Sequence, residues 1–259
     1  MNKLLSACYA EYIKARKSKV FPVTIIAFSL APIMGSLFVI VLRSRELLAN
    51  NKILEEKAQQ AAFSPDWPGF FGLLAQAVGV GGIIVFGFVA SWVFGREYSD
   101  RTAKDLFVLP ISRATIVISK LLTIVAWCLL LTVTIILLGL ILGFALKLPG
   151  WSFNIFAESL KNIFITSIMV ILLCSPVSFF ASIGRGYLAP LGFVVITLVL
   201  AQIIGALGYG AYFPWAIPGI YSKVTGSSSI LGYFSYALLI GTSITGYFAT
   251  ILWWLRADQ

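Results

Sequence analysis

One short stretch of this sequence carries a dense cluster of charged side chains between apolar runs. Glu97, Asp100, Arg101, Thr102, Lys104 and Asp105 lie within nine positions, followed by Leu106, Phe107, Pro110 and Arg113. Glu97/Arg101, Asp100/Lys104 and the reversed pair Arg101/Asp105 are spaced i,i+4, which supports a short helix through side-chain pairing. Pro110 stops it, and Ser112 is placed to N-cap the helix that follows. Large apolar residues beside dense charge suit a helix seated in a partner's groove. A helix resting on a lipid surface is the plainer alternative. The chemistry expected here is recognition of a partner, not bond making.

Elsewhere the sequence is poor in catalytic groups. It has no histidine, and Cys8, Cys128 and Cys174 are far apart with no CxxC pair. That removes His-based zinc sites and Cys–His nucleophiles, and leaves the cysteines as small apolar packing residues. GxxxxGK[ST], GxSxG and HExxH are all absent, so no nucleotide loop, hydrolase elbow or zinc-protease helix is expected. The apolar runs carry only mild polarity: Gln76, Gln202, Thr242, Ser243 and Thr245. Gln76 and Gln202 are candidates for a substrate path, with ordinary interhelical hydrogen bonding as the plainer reading. An ion-coupled carrier is disfavoured, because such proteins keep ionisable groups near the midplane.

The elements that must position these residues follow from composition. Of 259 residues 59% are hydrophobic and only 11% charged, with a mean hydropathy of +0.96. A soluble domain would carry roughly a quarter charged residues. Six spans fit the pattern: Val20–Leu42, Gly69–Gly95, Leu121–Leu146, about Asn162 to Gly184, about Tyr187 to Leu207, and about Leu231 to Leu255. Each approaches or exceeds the roughly 20 apolar residues a spanning helix needs. The first run is too long for a signal-peptide core and no cleavage site follows it, so it reads as an uncleaved span.

With both termini cytoplasmic, twelve Lys/Arg fall inside and seven outside, while the acidic residues divide five and five. This matches the positive-inside bias. It accounts for the net charge of +9, so no nucleic-acid partner is needed. Residues 1–19 read as an interfacial helix, with Leu5, Cys8, Tyr9 and Tyr12 on one side and Lys3, Lys14 and Lys17 on another. Residues 209–230 are apolar and aromatic but broken by Pro214, Pro218 and glycines. They read as a re-entrant or interfacial helical pair on the outer side before the sixth span. Gly139 and Gly143 form a GxxxG pair, which leaves open whether they pack within the chain or against a second copy.

The hairpin resembles the membrane subunit of a type 2 ABC exporter. The signature of that family after the second span is matched by Glu97, Arg101-Thr102, Leu106-Phe107, Pro110, Arg113 and Lys120, with Arg101 replacing the usual glycine. The opening EYIKARKSKVF, from Glu11, is similar to the acidic residue and basic cluster that precede the first span in the family. In size and opening, the bacitracin and lantibiotic transporter permeases are the nearest group. The resemblance covers the whole chain as one transmembrane domain, 1–259. It implies a non-catalytic permease subunit in a prokaryotic cell membrane, paired with a second copy or a paralogue. Two copies of a separate ATPase would use ATP and Mg, with no cofactor bound by this chain. Residues 96–113 would be the segment that contacts the ATPase and couples its closure to the spans. The apolar path suits an amphiphilic cargo, such as an antimicrobial peptide or a lipid-linked molecule. The alternatives are an anchor or sensor subunit that docks a cytosolic partner without transport, and a membrane enzyme acting on lipids. The enzyme lacks a clustered set of catalytic groups.

Overall fold

The computed structural model describes residues 3–43, 64–100, 112–223 and 231–256. Among these, every regular element is helical. Helix α1 (Lys3–Lys17) turns into α2 (Val20–Arg43). The second span comprises α3 (Trp67–Gln76), a π turn at Ala77–Gly81, and α4 (Gly82–Ser99). Next come α5 (Arg113–Ala145), α6 (Phe153–Leu172), α7 (Cys174–Ile183) and α8 (Leu188–Ala206). A 3₁₀ turn at Gly210–Tyr212 and α9 (Ile217–Tyr221) lead to α10 (Tyr233–Arg256). Six stretches are long and apolar enough to cross a bilayer. The chain is an all-α integral membrane protein.

The spans lie where the apolar runs predict, but three helices outlast those runs. Trp67–Ser99 and Arg113–Ala145 each hold 33 residues, or about 50 Å of helix at 1.5 Å per residue. The hydrocarbon core is only about 30 Å thick, so their ends project beyond it. Apolar content marks what lipid touches, whereas the helix continues wherever neighbours still pack against it. For the same reason the fourth span begins at Phe153, not near Asn162.

That fourth span is interrupted at Leu173, between α6 and α7, and the cause is local. Pro176 has no N–H to give the Leu172 carbonyl. The Ser175 hydroxyl stands 2.7 Å from Ser243 O and 3.0 Å from Leu172 O, and shares its one proton between these carbonyls. The shorter contact ties α7 to α10, and the longer one partly offsets the loss at the Leu172 carbonyl.

Helix α4 runs through the middle of the bundle and packs on α5, α7 and α8. Its Phe86, Val89, Ala90 and Phe94 are fully buried. The first, fifth and sixth spans keep broad apolar faces exposed, such as Ile26, Leu30 and Leu37 on α2. Gly139 and Gly143 pack within the chain. Side chains there would run into Leu74 and Trp67, so the pair forms a seat for α3. At the same rim Asp66 caps α3 by accepting from Gly69 N at 2.8 Å. Arg43 donates to Leu146 O at 2.7 Å, closing α2 against the end of α5.

Candidate functional site: a charge cluster at one end and an amide groove at the other

At the end of the bundle that carries both termini, four charged side chains from three elements converge. Lys120 of α5 has no exposed surface, Glu97 of α4 is 3% exposed, and Glu11 of α1 is 7% exposed. The Lys120 ammonium donates to Glu97 Oε1 at 2.8 Å, to both Glu11 oxygens at 3.2 Å, and to the Val93 carbonyl at 3.1 Å. Three partners match its three N–H groups. Lys14 completes the cluster, reaching Glu97 at 2.9 Å and Glu11 at 3.1 Å. Two carboxylates and two ammoniums leave no net charge. Each ion is thus paired and hydrogen-bonded, which burial of charge requires.

The helix geometry makes this possible. Glu11, Lys14 and Ala15 share one side of α1 by their i,i+3,i+4 spacing, and Glu11 and Ala15 are buried where α1 packs on α5. The opposite side exposes Leu5, Tyr9 and Tyr12. Burial by itself would lower the pKa of Lys14. The Glu11 and Glu97 carboxylates outweigh that effect, and its pKa is raised above the ordinary lysine value.

Of the hairpin residues singled out from the sequence, Glu97 points inward, onto Lys14 and Lys120. Asp100 is exposed and accepts from Arg96 Nε at 3.0 Å. The Arg96 guanidinium stacks over Trp92, 5.0 Å from its ring centroid, and reaches the Lys14 carbonyl at 3.4 Å. Ser112 caps α5, accepting from Thr115 N at 3.2 Å. Arg113 donates to the Trp254 and Leu255 carbonyls at 3.1 and 3.4 Å. Its cation thereby neutralises carbonyls in the last turn of α10, a favourable place for positive charge. Arg101, Thr102, Lys104, Asp105, Leu106, Phe107 and Pro110 lie outside the described residues.

Sequence reasoning missed Glu11 and Lys14 as partners of this site. It put Lys14 with Lys3 and Lys17 on the polar side of an interfacial helix, and it met Glu11 only as part of an opening motif. The pairs join residues 83 and 109 positions apart, beyond the reach of any periodicity. The one available signal was a lone acidic residue in an otherwise basic helix.

Toward the opposite end, the structure brings the two glutamines together. Gln76, at the end of α3, and Gln202, on α8, line one groove of about 570 Å³ with Leu73, Ala77, Val80, Gly81 and Leu198. Gln76 donates to the Lys223 carbonyl at 3.4 Å. The π turn forms one wall. Turns of this kind leave local carbonyls less regularly paired and recur at functional positions. Here the turn lies against the broken stretch, whose residues Trp215 to Ile220 are buried. A Cβ on Gly79 would stand 2.7 Å from Ser222 Oγ and 3.0 Å from Pro218 O. The absent side chain lets that backbone close on the span.

Six spans, a charge-bolted α1 and a buried broken segment define a multi-pass membrane protein built to hold helices in register, with few groups for chemistry. The chain belongs to the ABC-2 family of transporter proteins, whose model matches residues 7–203. That match takes in all four cluster residues and both glutamines. The bacitracin transport permease protein BCRB of Bacillus licheniformis is 27% identical over 177 residues, covering 68% of this chain and 85% of that protein. The family is that of the membrane-spanning permeases of ABC exporters, which associate with an ABC ATPase.

Proposed function

We propose that this chain is the membrane half of an ATP-driven exporter, with its power stroke entering through residues 96–113. The observation that supports this reading most directly is the Glu11–Lys14–Glu97–Lys120 cluster. It joins α1 to the two helices that flank the hairpin, so that a force on the hairpin moves three elements together. Asp100, Arg101, Thr102, Lys104, Asp105, Leu106, Phe107, Pro110 and Arg113 form the surface for the ATPase. Glu97, turned inward, acts as a positioning residue for that surface. Two ATPase subunits using ATP and Mg serve two permease chains, identical or paralogous, in a prokaryotic cell membrane with both termini inside. The cargo is amphiphilic, an antimicrobial peptide or a lipid-linked molecule, and passes the groove of Gln76 and Gln202. Transport requires that its affinity differ between the two states of the spans.

The test is purification of the full chain, gently solubilised from its native cells. A stoichiometric P-loop ATPase is expected, with ATP turnover that changes when the permease is present. Phe107→Ala should insert normally yet lose the ATPase. Recovery of the chain alone, or with a partner lacking a P-loop, would instead support an anchor or sensor subunit.

A further inference from the structure

The flank of α1 formed by Cys8, Tyr12, Ala15 and Arg16, beside the charge cluster, borders a second cavity, one that the coupling reading does not use. It measures about 420 Å³ and lies between α1, the start of α2 and the lipid-facing side of α5. Leu122, Ala126 and Leu130 recur every four residues along α5, so they mark a line running about 12 Å from the bundle end toward the bilayer centre. Phe21 of α2, in ring contact with Trp127 at 5.2 Å between centroids, also lines it. At the interfacial end of this slot stand Arg16 and Tyr12, both exposed.

Among the described residues, the charge at that end has no answering anion. The last turn of α1 carries Lys14, Arg16 and Lys17, and Lys14 is taken up by the cluster. Arg16 and Lys17 form no ion pair among the described residues. The acid of the helix, Glu11, is committed to Lys14 and Lys120. The slot is therefore amphiphilic in a definite order. A guanidinium, which binds phosphate through two parallel N–H groups, stands at headgroup level above an apolar channel aligned with the acyl chains.

We propose that this slot seats one anionic glycerophospholipid from the leaflet adjoining the termini. Its phosphodiester lies on Arg16 with the Tyr12 hydroxyl beside it, and one acyl chain follows Leu122, Ala126 and Leu130. A helix from a second copy of this chain fits less well, since it would bring an apolar surface against Arg16 and leave the cation without a counter-charge. The lipid fills the gap between α1 and α5 beside the salt bridges, so the interfacial helix gains a second point of attachment.

The test is native mass spectrometry of the full-length chain in neutral detergent, titrated with phosphatidylglycerol or with phosphatidylcholine of the same acyl chains. The wild type should retain one phosphatidylglycerol in preference to phosphatidylcholine. Arg16→Gln, at an exposed position that tolerates substitution, should reduce that preference by about five-fold, the effect of one basic residue near a membrane surface. Ala126→Trp, which fills the slot from an exposed position, should remove the bound lipid of either kind. Equal retention of the two lipids by the wild type would overturn the proposal, as would an unchanged preference in Arg16→Gln. A change of oligomeric state in Ala126→Trp with lipid retention intact would also overturn it, assigning the slot to a second copy. None of these readouts depends on an ATPase, so the proposal stands or falls separately from the exporter reading.

Discussion

At one end of the second span Glu97 meets Lys120 at 2.8 Å and Lys14 at 2.9 Å. Near the other end Gln76 reaches only a carbonyl, at 3.4 Å. The first region is charged and paired, with Lys120, Glu97 and Glu11 buried and Lys14 half-buried at its rim. The second is neutral, open as a groove, and adjoined by a π turn and glycine contacts. A buried ion network has a narrow range of acceptable geometries, because any displacement leaves a charge uncompensated. Amides and close backbone contacts lose far less when they shift. The bundle is thus stiffer where it meets α1 than where the groove lies.

The comparison breaks most severely at Lys120. Lys120→Met would leave two buried carboxylates facing Lys14 alone, at an expected cost of about 3–5 kcal/mol. Thermal unfolding of the purified protein in detergent would report it as a large loss of stability or yield. The double variant Glu97→Met/Lys120→Met removes one charge of each sign and keeps the Glu11–Lys14 pair. It should recover much of that loss. A double variant as unstable as the single one would show that charge balance is not what matters there.

A smaller effect is expected at Gly79→Val. Its new atoms meet Ser222 and the Pro218 carbonyl, and overpacking of this kind costs about 1–3 kcal/mol. Protease or labelling access to residues near Lys223 should rise along with the loss of thermal stability. An unaltered labelling pattern would mean that the broken stretch is held elsewhere. Gln76→Leu and Gln202→Leu sharpen the contrast. Stability should change by less than about 1 kcal/mol, since a single neutral hydrogen bond contributes little net. Cargo-dependent ATP turnover in proteoliposomes with the partner ATPase should fall, and turnover equal to wild type would remove the glutamines from the path.

The smallest effect concerns pH. The Lys14 pKa is raised on folding, so its contribution is full below the ordinary lysine value of 10.5 and is lost as pH rises through the folded value. Thermal stability should decline above that point in the wild type and decline less steeply in Lys14→Met. Identical alkaline profiles would place Lys14 outside the network.

Much of this architecture was legible in the sequence because lipid imposes a length. Each span announces itself as an apolar run, and α1 as a basic helix with Leu5, Tyr9 and Tyr12 on one side. The ends of helices were not legible. Glu97 and Lys120 look like the edges of spans, yet their helices continue to Ser99 and back to Arg113. The π turn reads as AVGVG, with nothing in those letters to mark a sixth residue in the turn. The seat formed by Gly139 and Gly143 was visible as a motif, but its occupant was decided by Trp67 and Leu74, some seventy positions away. The site was half legible: Glu97 stood out by its place in the charged stretch and Lys120 only as the end of the family signature, whereas their meeting with α1 is a fact of tertiary packing alone.

The π turn also sets an angular phase. By holding one residue more than an α turn, it rotates everything beyond it by about 100° relative to an uninterrupted α-helix. Glu97, four turns further along, points at Lys120 only with that offset in place. Deleting a single residue from 77–81 would let the span run straight and would swing the carboxylate to another side of the helix. The two ends of this span are therefore geared to each other, like marks on a shaft with a fixed twist between them.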